Sequence, residues 1–356
     1  MNLLLTTYPA QRSRNVGDRL ITDSALDLIK ARHPLYAPDV LFRETDLDNL
    51  IDKRIDSIVA PGFSVSDGVY RGTFRLFSDL SRLNNFFPIG CSFQQPLQPG
   101  ASFSDFRYGS QTADFLSLLA ERFGPYPCRD ALIVKVLTNN DIPAVYCGDL
   151  TLYEERALNQ YFVPPDPVRS AVFTIGHLPK YTIQSIDVLD LMRDLLPKAD
   201  LFVSFHSKPS EHSIKIAEHA VELGFSELRP YGSSKNLQKF YAGIDVHLGY
   251  RLHGHIFFLR SKKPSILLAE DVRSYGFSQT SDISTGCFLA FLPETLEADR
   301  DTPHRATEFL RQEMSNHFFA YRACLSNIER SYHEIIVPYF NNLARNLSVL
   351  DAELSL

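Results

Sequence analysis

The segment Gly249-Tyr250-Arg251-Leu252-His253-Gly254-His255 places a permanent cation and a titratable imidazole on either side of one leucine, just before the apolar run Ile256-Phe257-Phe258-Leu259. Arginine presents a planar fork of donors that matches carboxylate and phosphate, and histidine moves protons near neutral pH. Together they describe an anion site with acid–base capability. In an extended lead-in, the side-chain period of two sets Arg251 and His253 on one side and Leu252, as an anchor, on the other. Gly254 then leaves room for a ligand to approach, and a helix starting near it aims free backbone N–H groups at the same place.

Other polar residues follow β-like runs and could share that chemistry. They are Asn15-Val16-Gly17-Asp18, Gly62 to Ser66, Gly90-Cys91-Ser92, Arg129-Asp130 and Gly148-Asp149 in the first half, and Gly176-His177, His206-Ser207 and Glu270-Asp271 in the second. In open α/β sheets ligands bind beyond the carboxyl ends of the strands, which is where these residues fall. Bland roles compete with this. Asn15 and Asp18 equally suit capping of a helix beginning near Leu20, Asp130 suits an N-cap, and His206 suits a structural hydrogen bond. His255, two residues from His253, faces away once a helix has begun and is left out of the catalytic set.

The elements that must position these residues alternate between period-two and period-3.6 patterns. A strand at Leu3 to Thr7, a helix over Ile21 to Ala31, a strand at Ser57 to Ala60, a helix through Phe74, Phe77, Leu80 and Leu83, a strand with its exit loop over Phe86 to Ser92, a helix over Asp130 to Leu137 and a strand ending in a turn over Ala144 to Asp149 make up the first half. Prolines 164, 165 and 167 interrupt the pattern, and it resumes with strands at Ala171 to Ile175, Leu201 to Phe205, Ile244 to Leu248 and Ser265 to Leu268, separated by helices. The expected architecture is α/β: two Rossmann-like, doubly wound domains over residues 1–167 and 168–300 facing a cleft, and a helical tail over 301–356.

A chain of 356 residues makes a sizeable core and favours two domains. Its net charge of −6 argues against general affinity for nucleic acid or anionic membranes, so an anion site must be local. No signal-like opening or membrane-length apolar window is expected, which points to a cytoplasmic protein with no transmembrane segment. The five cysteines are scattered singly, suggesting neither a zinc cage nor a disulfide framework, and no metal is expected. Oligomeric state is left open.

Taken in order, Asn15-Val16-Gly17-Asp18, Cys128-Arg129-Asp130, Gly148-Asp149 and Arg251-Leu252-His253 followed by Lys263-Pro264-Ser265-Ile266 resemble the polysaccharide pyruvyl transferase family. The resemblance implies a GT-B-like fold and transfer of a pyruvyl group from phosphoenolpyruvate to a sugar, whether lipid-linked, polymeric or free, as a ketal. It implies no cofactor beyond that donor. It makes Arg251 and His253 the donor-site pair, with Arg129 a second cation in the cleft; the chemistry of these residue types then suggests Arg251 and Arg129 as donor-anion ligands from opposite domains, His253 as general acid/base, and Asp18 or Asp149 as orienting an acceptor hydroxyl or a cationic side chain. Asn15, Gly17 and His206 join them as candidate substrate contacts. Departures are Pro61-Gly62-Phe63 where the family has a run of glycines, and Tyr250 where a small residue is common. Rival readings are a GT-B glycosyltransferase using a nucleotide sugar and a non-catalytic sugar-binding member. A dinucleotide-binding dehydrogenase lacks its G-x-G-x-x-G, and Gly90-Cys91-Ser92-Phe93-Gln94 lacks the closing glycine of a hydrolase elbow.

Overall fold

The computed structural model describes residues 1–8, 15–50, 52–100, 102–231 and 234–354, with side chains as far as 347. Its first half contains β1 (Asn2–Thr6), α1 (Val16–Lys30), β2 (Asp39–Phe42), β3 (Ser57–Pro61), β4 (Phe86–Ile89), α2 (Ser110–Phe123), β5 (Tyr126–Cys128), α3 (Ala131–Thr138) and β6 (Ala144–Tyr146). These strands are short, apolar and largely buried, as expected of a parallel sheet covered on both faces. They pair in the order β2-β1-β3-β4, all parallel. The parallel pair β5-β6 extends the sheet through a bridge from Cys91 to Cys128.

The second half contains β7 (Ser170–Thr174), α4 (Thr182–Leu195), β8 (Asp200–Ser204), α5 (Glu211–Glu222), β9 (Ser226–Leu228), α6 (Ser234–Tyr241), β10 (Val246–Gly249), α7 (Leu252–Arg260), β11 (Ser265–Ala269), α8 (Val272–Ser278) and β12 (Cys287–Leu289). Its six strands lie in the order β9-β8-β7-β10-β11-β12, all parallel. Chain order runs outward in one direction from β7 and in the other from β10, so the strand order reverses between them. That reversal opens a crevice at the carboxyl ends of β7 and β10, the usual ligand position in such sheets.

The tail forms α9 (Thr302–Ser315), α10 (Phe319–Ser331), a π-helical turn (Tyr332–Ile336) and α11 (Val337–Leu354). It begins on the second sheet, where the Tyr321 hydroxyl donates to the Ser265 carbonyl at 2.6 Å. It ends on the first, where the Tyr339 hydroxyl reaches the Pro88 carbonyl at 3.2 Å. One apolar core therefore includes Val59 and Ile89 of the first half, Phe173 and Leu248 of the second, and Tyr332 and Phe340 of the tail. A further core around Phe63, Phe74 and Tyr126 lies in the first half and takes in Val272 from the start of α8.

Two expectations change. The apolar spacing at Phe74, Phe77 and Leu83 is not helical: only Leu80–Arg82 makes a 3-10 turn, and the three side chains are buried from irregular chain. Gly68, at φ 69°, and Arg71, at φ 57°, turn the backbone out of the right-handed region just before them. Helix α1 starts at Val16 rather than near Leu20, because Asn15 is its N-cap and accepts from the Gly17 N–H at 3.1 Å.

Candidate active site at the crevice between the two halves

The second sheet delivers one polar group after another from its strand ends. His177 follows β7, His206 and Ser207 follow β8, Arg251 follows β10, and Glu270, Asp271 and Arg273 follow β11. The first half faces them with Asn15, Gly17 and Asp18 from the start of α1, Arg129 and Asp130 after β5, and Asp149 after β6. Asn15, His177, His206, Tyr250, Arg251, His253, Glu270, Asp271 and Arg273 line one recess. Helices α1 and α7 both begin there and run side by side, joined further along where Arg260 donates to the Ser24 hydroxyl at 3.1 Å.

Arg251 is the N-cap of α7, so the segment is not an extended lead-in with period-two alternation. Both Arg251 and His253 nevertheless reach the recess, because the cap and the first turn sit directly beyond the sheet. Arg251 is 6% exposed, and its Nη2 donates to Ser207 Oγ at 2.6 Å while Nε and Nη1 have no partner. Burial pulls its pKa down to about 10, yet the guanidinium stays charged at neutral pH. A buried guanidinium with two idle donors is costly unless an anion completes it.

His253 is also buried, and its Nε2 lies 3.7 Å from Asp149 Oδ2, an ion-pair distance that leaves the nitrogen without a hydrogen bond. Asp149 is the N-cap of the 3-10 turn Leu150–Leu152. Its Oδ1 accepts from the Thr151 N–H at 2.9 Å and the Thr151 hydroxyl at 2.6 Å, so Oδ2 alone faces the imidazole. Burial opposes the charge of this carboxylate, but His253, Arg129 and Thr151 outweigh it and hold the pKa well below the usual range. On the other side of the ring is Gly17, where a Cβ would sit 2.4 Å from His253 Nδ1. Gly17 is thus a packing requirement for the imidazole.

Gly254 behaves similarly. A Cβ there would come within 3.1 Å of both His206 and His247, so this glycine lets α7 lie on two buried histidines and does not open a path for a ligand. His206 lines the recess, but its Nε2 pairs with the Tyr241 hydroxyl at 2.8 Å and burial holds its pKa well below normal. Its carbonyl accepts from the Val16 N–H, tying the start of α1 to the second half. His255 bonds Ser265 Oγ through Nδ1 at 2.8 Å, inside the core. Tyr250 is buried and donates to Gln184.

Arg129, 4% exposed, is absent from the lining of the recess and lies one layer behind it. Its Nε is 3.5 Å from Asp130, its Nε and Nη2 lack hydrogen-bond partners, and its charge acts on Asp149. Asp130 caps α3 through the Ile133 N–H, and burial pushes its pKa up to about 6. The second arginine lining the recess is Arg273, which sequence reasoning missed. It is fixed by Asp271, with Nε and Nη2 at 2.9 and 2.6 Å from one oxygen, and the field of Asp271 raises its pKa further. Its signal was its position three residues after the strand-exit Glu270. Asp18, in the first turn of α1, faces Arg273, His253 and Arg251, although burial still raises its pKa.

Glu270 is the other residue of weight that sequence reasoning left among general candidates. Its carboxylate accepts from the His177 N–H at 2.8 Å and the Leu178 N–H at 3.1 Å. Burial, with Asp271 beside it, pushes its pKa up to about 7. It therefore fills the backbone donors of the first turn after β7. Among the described residues no group of three His, Cys, Asp or Glu side chains is placed to hold a metal, and no helix is long and apolar enough to cross a membrane.

Similar folds occur in S. aureus MnaA in a co-structure with UDP, with 11% identity, a TM-score of 0.50 and 96% of each chain covered. The pneumococcal O-GlcNAc transferase GtfA in complex with UDP and GlcNAc gives 11% identity and a TM-score of 0.48 over 82% of this chain. The present chain covers only 56% of GtfA. E. coli heptosyltransferase WaaC with ADP-2-deoxy-2-fluoro heptose gives 10% identity and a TM-score of 0.42, with 88% of this chain and 100% of that chain covered. At such identities the likeness concerns the fold, which is the GT-B arrangement. No curated protein matches the chain in sequence. The sequence model named polysaccharide pyruvyl transferase matches residues 15–272, from the cap of α1 to the start of α8. Spanning the elements that present Arg129, Asp149, Arg251 and His253, this match establishes that the chain belongs to the polysaccharide pyruvyl transferase family, a family of transferases.

Proposed function

We propose that the protein transfers the pyruvyl group of phosphoenolpyruvate to two hydroxyls of a sugar in a polysaccharide or glycan, forming a ketal and releasing phosphate. The observation that supports this most is the pairing of a buried arginine having two idle donors with an imidazole whose Nε2 is unbonded, both at one recess. Arg251 and Arg273 bind the anionic donor, and arginine's fork suits both its carboxylate and its phosphate. Addition places a proton on the methylene carbon while one sugar hydroxyl attacks the adjacent carbon and loses its proton. The carbon–oxygen bond to phosphate then breaks with its electron pair on phosphate, and the second hydroxyl attacks, its proton leaving with hydrogen phosphate. His253 is the group that moves these protons, with Asp149 holding its orientation and balancing its charge. Arg129 acts through Asp149, keeping that carboxylate ionised. Asp18, Asn15 and the first-half face are the acceptor side.

A nucleotide-sugar donor is the weaker reading. A diphosphate in a Rossmann-type crevice uses the backbone donors of the first strand–helix turn. Here Glu270 occupies those of His177 and Leu178 and would repel a second anion. No metal is needed when arginines neutralise the donor. The test is incubation of the protein with phosphoenolpyruvate and a panel of galactose-, mannose- and glucose-containing acceptors, followed by phosphate and mass measurement. A product heavier by one pyruvylidene group supports the reading. Turnover of a nucleotide sugar with none of phosphoenolpyruvate overturns it.

A further inference from the structure

Beside the recess, and sharing His177, His206 and Arg251 with it, is a second and roomier lobe. It is walled by Ser207 and Lys208 after β8 and by Ser210, His212 and Ser213 at the start of α5. No carboxylate among the described residues lines this lobe, whereas Glu270 and Asp271 line the first. Glu211, in the first turn of α5, instead pairs with Lys215 at 3.0 Å, on a largely exposed side chain.

The lobe has further features of an anion site. Helix α5 runs over 12 residues and directs its N-terminus at it, and although the Ser210–Ser213 capping box satisfies part of that end, the Glu211 and His212 N–H groups have no intrahelical partner. His212 is held across the lobe by Ser210 Oγ at 3.0 Å and, more loosely, the Gly176 carbonyl at 3.5 Å. Independently of the helix, the buried Arg251 guanidinium stands between the lobes with Nε and Nη1 unpartnered, its Nη2 already bound to Ser207.

We propose that this second lobe is a phosphate subsite, holding the phosphate of the donor and then the phosphate released from it. The inference rests on the pyruvyl-transfer reading and adds an orientation to it. In the second lobe a dianion meets Arg251, Lys208, imidazoles, hydroxyls and a helix N-terminus, with no carboxylate in the wall among the described residues, whereas the Asp271 charge on the other side is already paired with Arg273. The donor then spans Arg251, with its phosphate toward Lys208 and its reacting carbons toward His253. When the carbon–oxygen bond breaks, the electron pair and the departing oxygen stay with the phosphate in the lobe.

The test is calorimetric titration of inorganic phosphate and of pyruvate into the wild type, Lys208→Ala and His212→Asn, with phosphoenolpyruvate turnover measured on the same samples. Lys208 is exposed, so its truncation leaves the fold intact. The subsite predicts that phosphate affinity falls about tenfold in Lys208→Ala, the value of one charge-assisted contact, while pyruvate affinity is kept. Phosphate binding unchanged in both variants overturns the subsite, and continued turnover of phosphoenolpyruvate in that case leaves the pyruvyl-transfer reading standing. Phosphate binding that weakens in the variants, with no phosphoenolpyruvate turnover in the wild type, upholds the subsite and removes the reading beneath it.

Discussion

Asp149 and His253 meet across the two halves of the molecule, Oδ2 to Nε2 at 3.7 Å, although 104 positions separate them in the chain. The carboxylate is anchored through its other oxygen to Thr151 and the ring is backed by Gly17, so neither partner can turn away alone. The imidazole to which the proposed mechanism assigns proton transfer thereby faces a carboxylate from the opposite half.

Asp149→Asn keeps the capping oxygen for Thr151 but removes the charge that faces His253. Turnover is expected to fall on the order of 10²-fold or more, with the KM for phosphoenolpyruvate little changed. Steady-state kinetics check this, and a KM effect without a kcat effect would contradict an orienting role.

Gly17→Ala forces a methyl group to within 2.4 Å of His253 Nδ1 unless the ring moves. Displacing a catalytic group by about 1 Å costs on the order of 10²-fold in rate. The variant should fold, by circular dichroism, and lose most of its turnover.

Arg251→Ala removes a buried cation with two idle donors. Its melting temperature should equal or exceed that of the wild type, since a site built for a ligand is strained without one. Use of phosphoenolpyruvate should drop by about 10²-fold or more, the value of a bidentate charge-assisted contact. Arg251→Lys should restore little, because an ammonium does not reproduce the fork.

Glu270 titrates near 7 in the folded protein, above its unfolded value, so its contribution to stability is complete below the unfolded pKa and is lost as pH rises through about 7. Glu270→Gln removes that loss. The melting temperature of the variant relative to wild type should therefore increase between pH 5 and pH 8. A difference that stays flat or declines over that range would contradict the assignment.

On the proposed reading, in which Arg251 and Arg273 bind the donor, treatment with EDTA should leave turnover unchanged. Assay before and after chelation, with magnesium added back, checks this.

Much of the architecture was legible because local physics decides it. Strands such as Leu3 to Leu5 and Ile266 to Leu268 are continuous apolar runs, as burial on both faces requires, and each is followed by polar loop residues. Caps announce themselves too: Asn15 and Asp130 begin α1 and α3 by accepting from N–H groups within three residues. The Arg251-Leu252-His253 motif marks the crevice for the same reason, since all its positioning comes from one strand end and one helix start. Spacing misled where a loop rather than a helix buries its apolar side chains, as at Phe74, Phe77 and Leu83.

What lay beyond the sequence are relationships between residues far apart in it. Only the strand-order reversal between β7 and β10 creates a crevice where His177 and Arg251 share walls, and only the packing of α1 against α7 turns Gly17 into the backing of an imidazole. Arg129 and Arg273 look equivalent as residue types, yet the fold puts the first behind Asp149 and the second in the recess. Charge balance at such a place is a sum over neighbours from both halves. A linear chain specifies which groups are available, and the tertiary structure decides which of them lose water together and which therefore need a ligand.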